Sequence, residues 1–252
     1  MKKYLTILLA GVLLLGISAF TLYSQDSDDA AKKAEAKKIV EKLIEAQGGR
    51  DVLSKIRDMT STGDIELIQF GMSGSVTMYQ KEPDKMRMDM EIMGMVITQA
   101  YDGETAWMTN PQTGANEEMP EELASDTRRQ SLGNDAILNP EKLGITYTFE
   151  GKETIEGTEY LILKQTFSDG KFSHLYIDPG TYLVYKTKET ALNQMGVEVE
   201  AESFMSDYKD FQGTKVPYTI TVYQDGEEFI IITLSTMKYN TGLEDTLFKM
   251  GG

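Results

Sequence analysis

The chain has 252 residues, no cysteine, one histidine and a formal net charge of −15. That length can bury a substantial core, but without cysteine the fold must stand without disulfides, and a nitrogen- or sulfur-ligated zinc site has almost no ligands to draw on. The acidity argues against nucleic acid and anionic membrane surfaces as main partners, because both demand clustered Lys and Arg.

The chain opens with Met1-Lys2-Lys3-Tyr4, continues apolar from Leu5 to about Leu22, and turns polar at Tyr23-Ser24-Gln25-Asp26. A basic start, an apolar stretch and a small residue at Ser24 predict a signal peptide over residues 1–24 and an exported product. The competing reading is a retained anchor, since ~20 apolar residues span a bilayer; Thr6, Gly11, Gly16 and Ser18 interrupt this run. Cleavage takes away Lys2 and Lys3 and no acid, moving the net charge from −15 to −17. It would also leave no permanent membrane anchor, and with no Cys there is no site for an N-terminal thioether-linked lipid. Residues 25–252 are expected to form a single domain.

From Asp28 to Gln47, Ala36, Ile39, Val40, Leu43 and Ile44 recur at spacings of three and four, which predicts an amphipathic helix stopped by Gly48-Gly49. Val52, Leu53 and Ile56 suggest a further turn or two. After Ile56 the apolar period changes to two, and roughly eleven strand-like runs follow down to Asn240. Asp102-Gly103, Asp169-Gly170 and Asp225-Gly226 carry the two-residue hairpin signal, and Asp178-Pro179-Gly180 and Asn110-Pro111 mark other reversals. Pro120-Glu121-Glu122 opens a predicted helix through about Leu132, ended by Gly133, and a loop or short helical turn carries Ile137, Leu138 and Leu143 to Gly144.

The fold class is therefore mainly β (α+β). We expect one curved antiparallel sheet forming an unclosed half-barrel, with the N-terminal helix and the helical insertion covering its concave face.

Met86, Met88 and Met90 alternate with Arg87, Asp89 and Glu91, so one face of this strand is all thioether. With Met93-Gly94 as a two-residue turn, Met90 faces Ile97, Met88 faces Gln99 and Met86 faces Tyr101. The same count across Asp102-Gly103 sets Met108 beside Ile97 and turns Trp107 to the other face, near Thr98. The candidate ligand-binding residues are thus Met86, Met88, Met90, Ile97, Tyr101 and Met108. A face of this kind is either ordinary core against the N-terminal helix or the wall of a cavity for apolar ligands; unbranched, polarizable Met suits the second.

No catalytic constellation is evident. His174 alternates with Phe172 and Tyr176 on one strand face and reads as structural. Gly-x-Ser-x-Gly and His-Glu-x-x-His are absent, and the acids of 26–29 and 117–122 lack the spacing of a calcium loop. No catalytic residue, metal site or cofactor is expected.

Tyr101-Asp102-Gly103-Glu104-Thr105-Ala106-Trp107-Met108-Thr109-Asn110-Pro111 resembles the strand-turn-strand signature of the periplasmic lipoprotein-carrier (LolA/LolB-like) family. Pro83-Asp84-Lys85-Met86-Arg87-Met88 is similar to that family's preceding strand, and Gly213-Thr214-Lys215-Val216-Pro217-Tyr218 and Leu247-Phe248-Lys249-Met250 resemble its later parts. The resemblance implies an open antiparallel barrel with a helical lid over an apolar cavity. It also implies a non-enzymatic carrier of lipid or acylated lipoproteins in the periplasm, partnered by acyl chains. The family's relatives include lipoprotein-sensing regulators, so a second implied reading is an envelope sensor or scaffold working through protein contacts. The sequence departs from the membrane-anchored branch in having no N-terminal Cys.

Overall fold

The computed structural model describes residues 13–193 and 197–251, with side chains from Asp28 onward. Of the expected signal at 1–24, residues 1–12 lie outside the described residues, and 13–24 run into the first helix. Among the described residues no helix is long and apolar enough to cross a membrane.

Helix α1 spans Leu13–Ala46 and buries Ala36, Ile39, Val40, Leu43 and Ile44, the face set by the three-and-four spacing. It ends in a glycine cap: Gly49 N–H donates to Ile44 O at 2.8 Å, and both Gly48 and Gly49 take positive φ. A Cβ on Gly48 would stand 2.3 Å from Gly213 O, so only glycine lets the helix end approach that turn. The short α2, Arg50–Leu53, leads into the sheet.

The first strands are β1 (Asp58–Leu67), β2 (Met72–Lys81), β3 (Lys85–Ile92), β4 (Met95–Tyr101), β5 (Ala106–Thr109) and β6 (Asn116–Glu118). Helices α3 (Glu121–Gln130) and α4 (Asp135–Leu138) and a 3-10 turn at Pro140–Leu143 follow. The remaining strands are β7 (Thr146–Ile155), β8 (Thr158–Thr166), β9 (Phe172–Ile177), β10 (Val184–Leu192), β11 (Glu198–Phe211), β12 (Thr214–Gln224) and β13 (Glu227–Tyr239).

All thirteen join in one antiparallel sheet of order β6-β5-β4-β3-β2-β1-β13-β12-β11-β10-β9-β8-β7. The sheet is an unclosed half-barrel, with β6 and β7 as its edges and the α3–α4 segment carrying the chain between them. Thirteen strands exceed the roughly eleven expected runs, and β6, three polar residues, has no apolar alternation to announce it. The first and last strands meet mid-sheet, Met59 opposite Tyr239.

The turns correct two sequence expectations. Asp225-Gly226 and Met93-Gly94 are two-residue turns with positive φ at both positions. Asp102-Gly103 and Asp169-Gly170 instead sit in loops of four and five residues, 102–105 and 167–171. The aspartate carboxylates explain the difference. Asp102 Oδ1 accepts the N–H groups of Glu104 (2.9 Å) and Thr105 (2.7 Å), and Asp169 Oδ1 accepts that of Lys171 (3.0 Å), so the side chain braces a wider turn.

Two inner-face glycines allow the sheet to bend. A Cβ on Gly63 would meet Thr233 O at 2.2 Å, beside a register shift between β1 and β13, and one on Gly74 would meet Glu91 O at 2.0 Å. The concave side divides in two. Helix α1 packs over β7–β10 on Leu161, Leu163, Leu175, Ile177 and Val184. The central strands carry a second cluster of Ile65, Val76, Ile92, Ile232, Leu234 and Met237.

Candidate functional site

The observed β3–β4 register is the one expected, with Met86 opposite Tyr101, Met88 opposite Gln99 and Met90 opposite Ile97. Met108 differs: it pairs with Gln99 instead of standing beside Ile97, because the four-residue Asp102 loop delays β5. Trp107 likewise pairs with Ala100 and not near Thr98. The shift is a full two-residue repeat, so Met108 stays on the methionine face.

The stripe does not share one environment. Met86 and Tyr101 are each 8 % exposed and pack with Ala106, Ala124 and Met119 beneath α3, which makes them core. Met88 and Met90 are half-buried beside the central cluster, and Ile97 and Met108 are half-buried as well. Half-buried neighbours on the same face include Met59, Met78, Ile220 and Ile230.

Helix α3 is laid across this face by polar bonds. Gln99 Nε2 donates to Thr127 Oγ1 at 3.0 Å, and Gln80 Nε2 to Ser131 O at 2.5 Å. On the far side Leu192 N–H reaches Asp126 Oδ2 at 3.4 Å, and Arg129 pairs with both Asp126 and Asp169. Glu189 lies on the inner face of β10; burial raises its pKa, against the opposing pull of Arg129, and Asp126 adds to the rise.

Two cavities adjoin the α3–α4 segment. One, of about 640 Å³, lies between α3 and the ends of β8–β11, lined by Leu143, Ile145, Phe167 and Leu192 among the charged groups Arg128, Arg129, Asp169 and Lys171. The other, of about 410 Å³, lies under α1, α2 and α4 and is lined by Leu53, Ile56, Met59, Ile137, Tyr147 and Leu175, with Gln80, Glu82 and Gln165 as polar points. Leu132 borders both. Burial pushes the Tyr147 phenol far above its ordinary range, and burial also raises Glu82, whose carboxylate caps α4 through Asn134 N–H at 2.7 Å.

None of the six predicted ligand residues lines either cavity. The methionine stripe is instead their neighbour on the sheet: Met59 pairs with Gln80, and Gln80 with Met86. The lining residues escaped sequence reasoning because they come from α1, α2, β1, β7 and the α3–α4 segment, far apart in the chain. The local hint was Met59, which alternates onto the same face as Ser61 and Gly63.

The outer face has a separate role. Trp107 is 1 % exposed and donates Nε1–H to Phe248 O at 2.7 Å, and Arg87 donates to Leu247 O at 2.7 Å and pairs with Asp89 at 2.9 Å. The C-terminal turn Asp245–Phe248 thus clamps the outside of β3–β5. His174 is also on the outer face, bonded to Glu150 at 2.9 Å and flanked by Lys164 and Lys188. Among the described residues no group of three or more His, Asp or Glu could hold a metal ion.

No protein-family profile matches the sequence, and no curated protein matches it. Solved structures do. A DUF1329 family protein from Desulfovibrio piger superposes with a TM-score of 0.58 at 16% identity, covering 86% of this chain and 98% of its own. An outer membrane lipoprotein-sorting protein domain from Vibrio parahaemolyticus gives 0.57 at 14% identity, covering 87% and 98%. A LolA superfamily protein from Nitrosomonas europaea also gives 0.57 at 14% identity, covering 85% and 97%. At such identities the likeness is one of fold: the chain has the open antiparallel half-barrel seen in LolA superfamily and lipoprotein-sorting structures.

Proposed function

We propose that the protein is a non-catalytic carrier that binds lipid, or the acyl chains of lipoproteins, on the concave face of its sheet in the periplasm. The observation that carries this reading is the run of half-buried apolar side chains Met59, Met78, Met88, Met90, Ile97 and Ile230, which Met59 joins to the cavity beneath α1, α2 and α4. Apolar burial at ~25 cal/mol per Å² supplies the affinity without any specific bond. Flexible thioethers adapt to chains of different shape. Met88, Met90, Ile97 and Met108 are the proposed contacts, with Met86 and Tyr101 forming the floor. The lipoprotein-sorting domain that shares the fold supports the same ligand class.

Native mass spectrometry of the protein purified from its own envelope fraction tests this directly. Co-purified lipid, or uptake of added acylated peptide with a defined stoichiometry, is the expected result. A clean unliganded mass that added lipid does not change would overturn the carrier reading and leave the alternative, an envelope sensor or scaffold acting through protein contacts.

A further inference from the structure

Strand directions place the β1–β2, β3–β4 and β12–β13 turns at one end of the half-barrel, on neighbouring parts of the sheet. That rim exposes Ile68, Phe70, Met93, Met95 and Val96, five of the eight large hydrophobic residues exposed among the described residues. Phe70 meets Phe229 edge-on across the β1–β13 seam, 6.4 Å between centroids.

Met93 is the telling member. It is 79 % exposed with φ 53, in a left-handed position that favours Asn, Asp or Gly. Three other two-residue turns, at Glu156-Gly157, Gln212-Gly213 and Asp225-Gly226, have the same paired positive φ and place a polar residue first. Only this one puts an apolar side chain largely into water at a strained position.

The charges of these three turns have one sign. Segments 66–73, 91–96 and 225–229 contain Glu66, Glu91, Asp225, Glu227 and Glu228 and no Lys or Arg. An apolar patch ringed by carboxylates repels anionic lipid and a second copy of itself alike, and it complements a segment that is both apolar and basic.

We propose that this rim is a docking surface for a partner protein presenting an amphipathic segment rich in Lys or Arg. The inference stands apart from the carrier reading, since it concerns the outside of the rim and holds whether or not the concave face carries lipid.

The test measures binding of a synthetic 18-residue Leu/Lys amphipathic helix, and of its Leu/Glu counterpart, to the purified protein by fluorescence anisotropy. Three variants are compared with wild type: Phe70→Ser with Met93→Ser, Glu91→Gln with Glu227→Gln, and Glu104→Gln with Glu156→Gln at the opposite end. The Leu/Lys peptide is expected to bind wild type, weaken with added salt, and lose at least about tenfold in affinity with each rim pair but not with the remote pair. Equal loss with the remote pair, or no loss with either rim pair, would overturn the proposal. So would Phe70-dependent sedimentation with phosphatidylcholine vesicles in place of peptide binding, which would assign the rim to a membrane. Far-UV circular dichroism and lipid uptake of each variant keep a folding defect, or a failure of the carrier reading, distinguishable from failure at the rim.

Discussion

Two neighbours on one strand face, Met86 and Met88, are expected to respond in opposite ways. Truncating Met86 to Ala removes three side-chain atoms from a site that is 8 % exposed and closed by α3. At ~0.8 kcal/mol per buried methylene-sized group the transfer loss is roughly 2.4 kcal/mol, and an unfilled cavity brings the total to about 3 kcal/mol. Met88→Glu lies where the face is half-buried, so its carboxylate keeps water in the free protein and stability falls by no more than about 1 kcal/mol. An acyl chain seated there would strip that water, costing binding about 2–3 kcal/mol, or roughly a hundredfold. Urea denaturation gives the stabilities, and titration with a fluorescent fatty acid gives the affinities. If Met88→Glu unfolds the protein while Met86→Ala leaves it stable, the division of the stripe into floor and contact surface is wrong. If Met88→Glu is stable and binds like wild type, the ligand lies elsewhere.

Other outcomes follow from particular contacts. Trp107→Phe leaves the carbonyl of Phe248 without its donor and should cost about 1–3 kcal/mol in denaturant unfolding with lipid uptake unchanged. Gly74→Ala forces a methyl against Glu91 O and should lower the melting temperature beyond what Gly71→Ala does, where nothing stands within 4 Å and the only cost is an alanine at φ 58. Burial opposes ionisation of Asp58, but the N–H groups of Thr241, Gly242 and Leu243 outweigh it and hold its pKa below the usual carboxylate range. Its contribution is therefore present above the unfolded pKa of about 4 and lost as pH falls through the lower folded value. Asp58→Asn should accordingly destabilise at pH 7 and become neutral in strong acid. Glu189 has the opposite sign, with a folded pKa raised by burial. Glu189→Gln should stabilise at pH 7, with the gain vanishing below about pH 4, as read from denaturation midpoints across pH.

Legibility followed the reach of each signal along the chain. The β3–β4 pairing was readable because Met93-Gly94 is a tight turn that transmits register without slack. One turn later the same count failed, since Asp102 uses its own carboxylate to hold a wider loop and moves Met108 along by two residues. Trp107 stood apart from the methionine face because its partner, Phe248, is 141 positions away in a segment with no local mark of contact. The three polar residues of β6 are strand only because β5 offers an edge. The two cavities are assembled by tertiary packing from residues whose local patterns say only helix or strand.

The meeting of β1 with β13 bears on how the molecule forms. Each half of the sheet is a chain of local hairpins, but the seam joins Met59 to Tyr239, 180 positions later. Neither half can complete the central cluster alone, because Ile65 and Val76 come from one and Ile232, Leu234 and Met237 from the other. Loop closure across nearly the whole chain must come before that cluster rewards it, so closure at the seam should limit the folding rate. A chain still emerging during synthesis has no β13 to pair with. The topology itself postpones folding until the last strand is made.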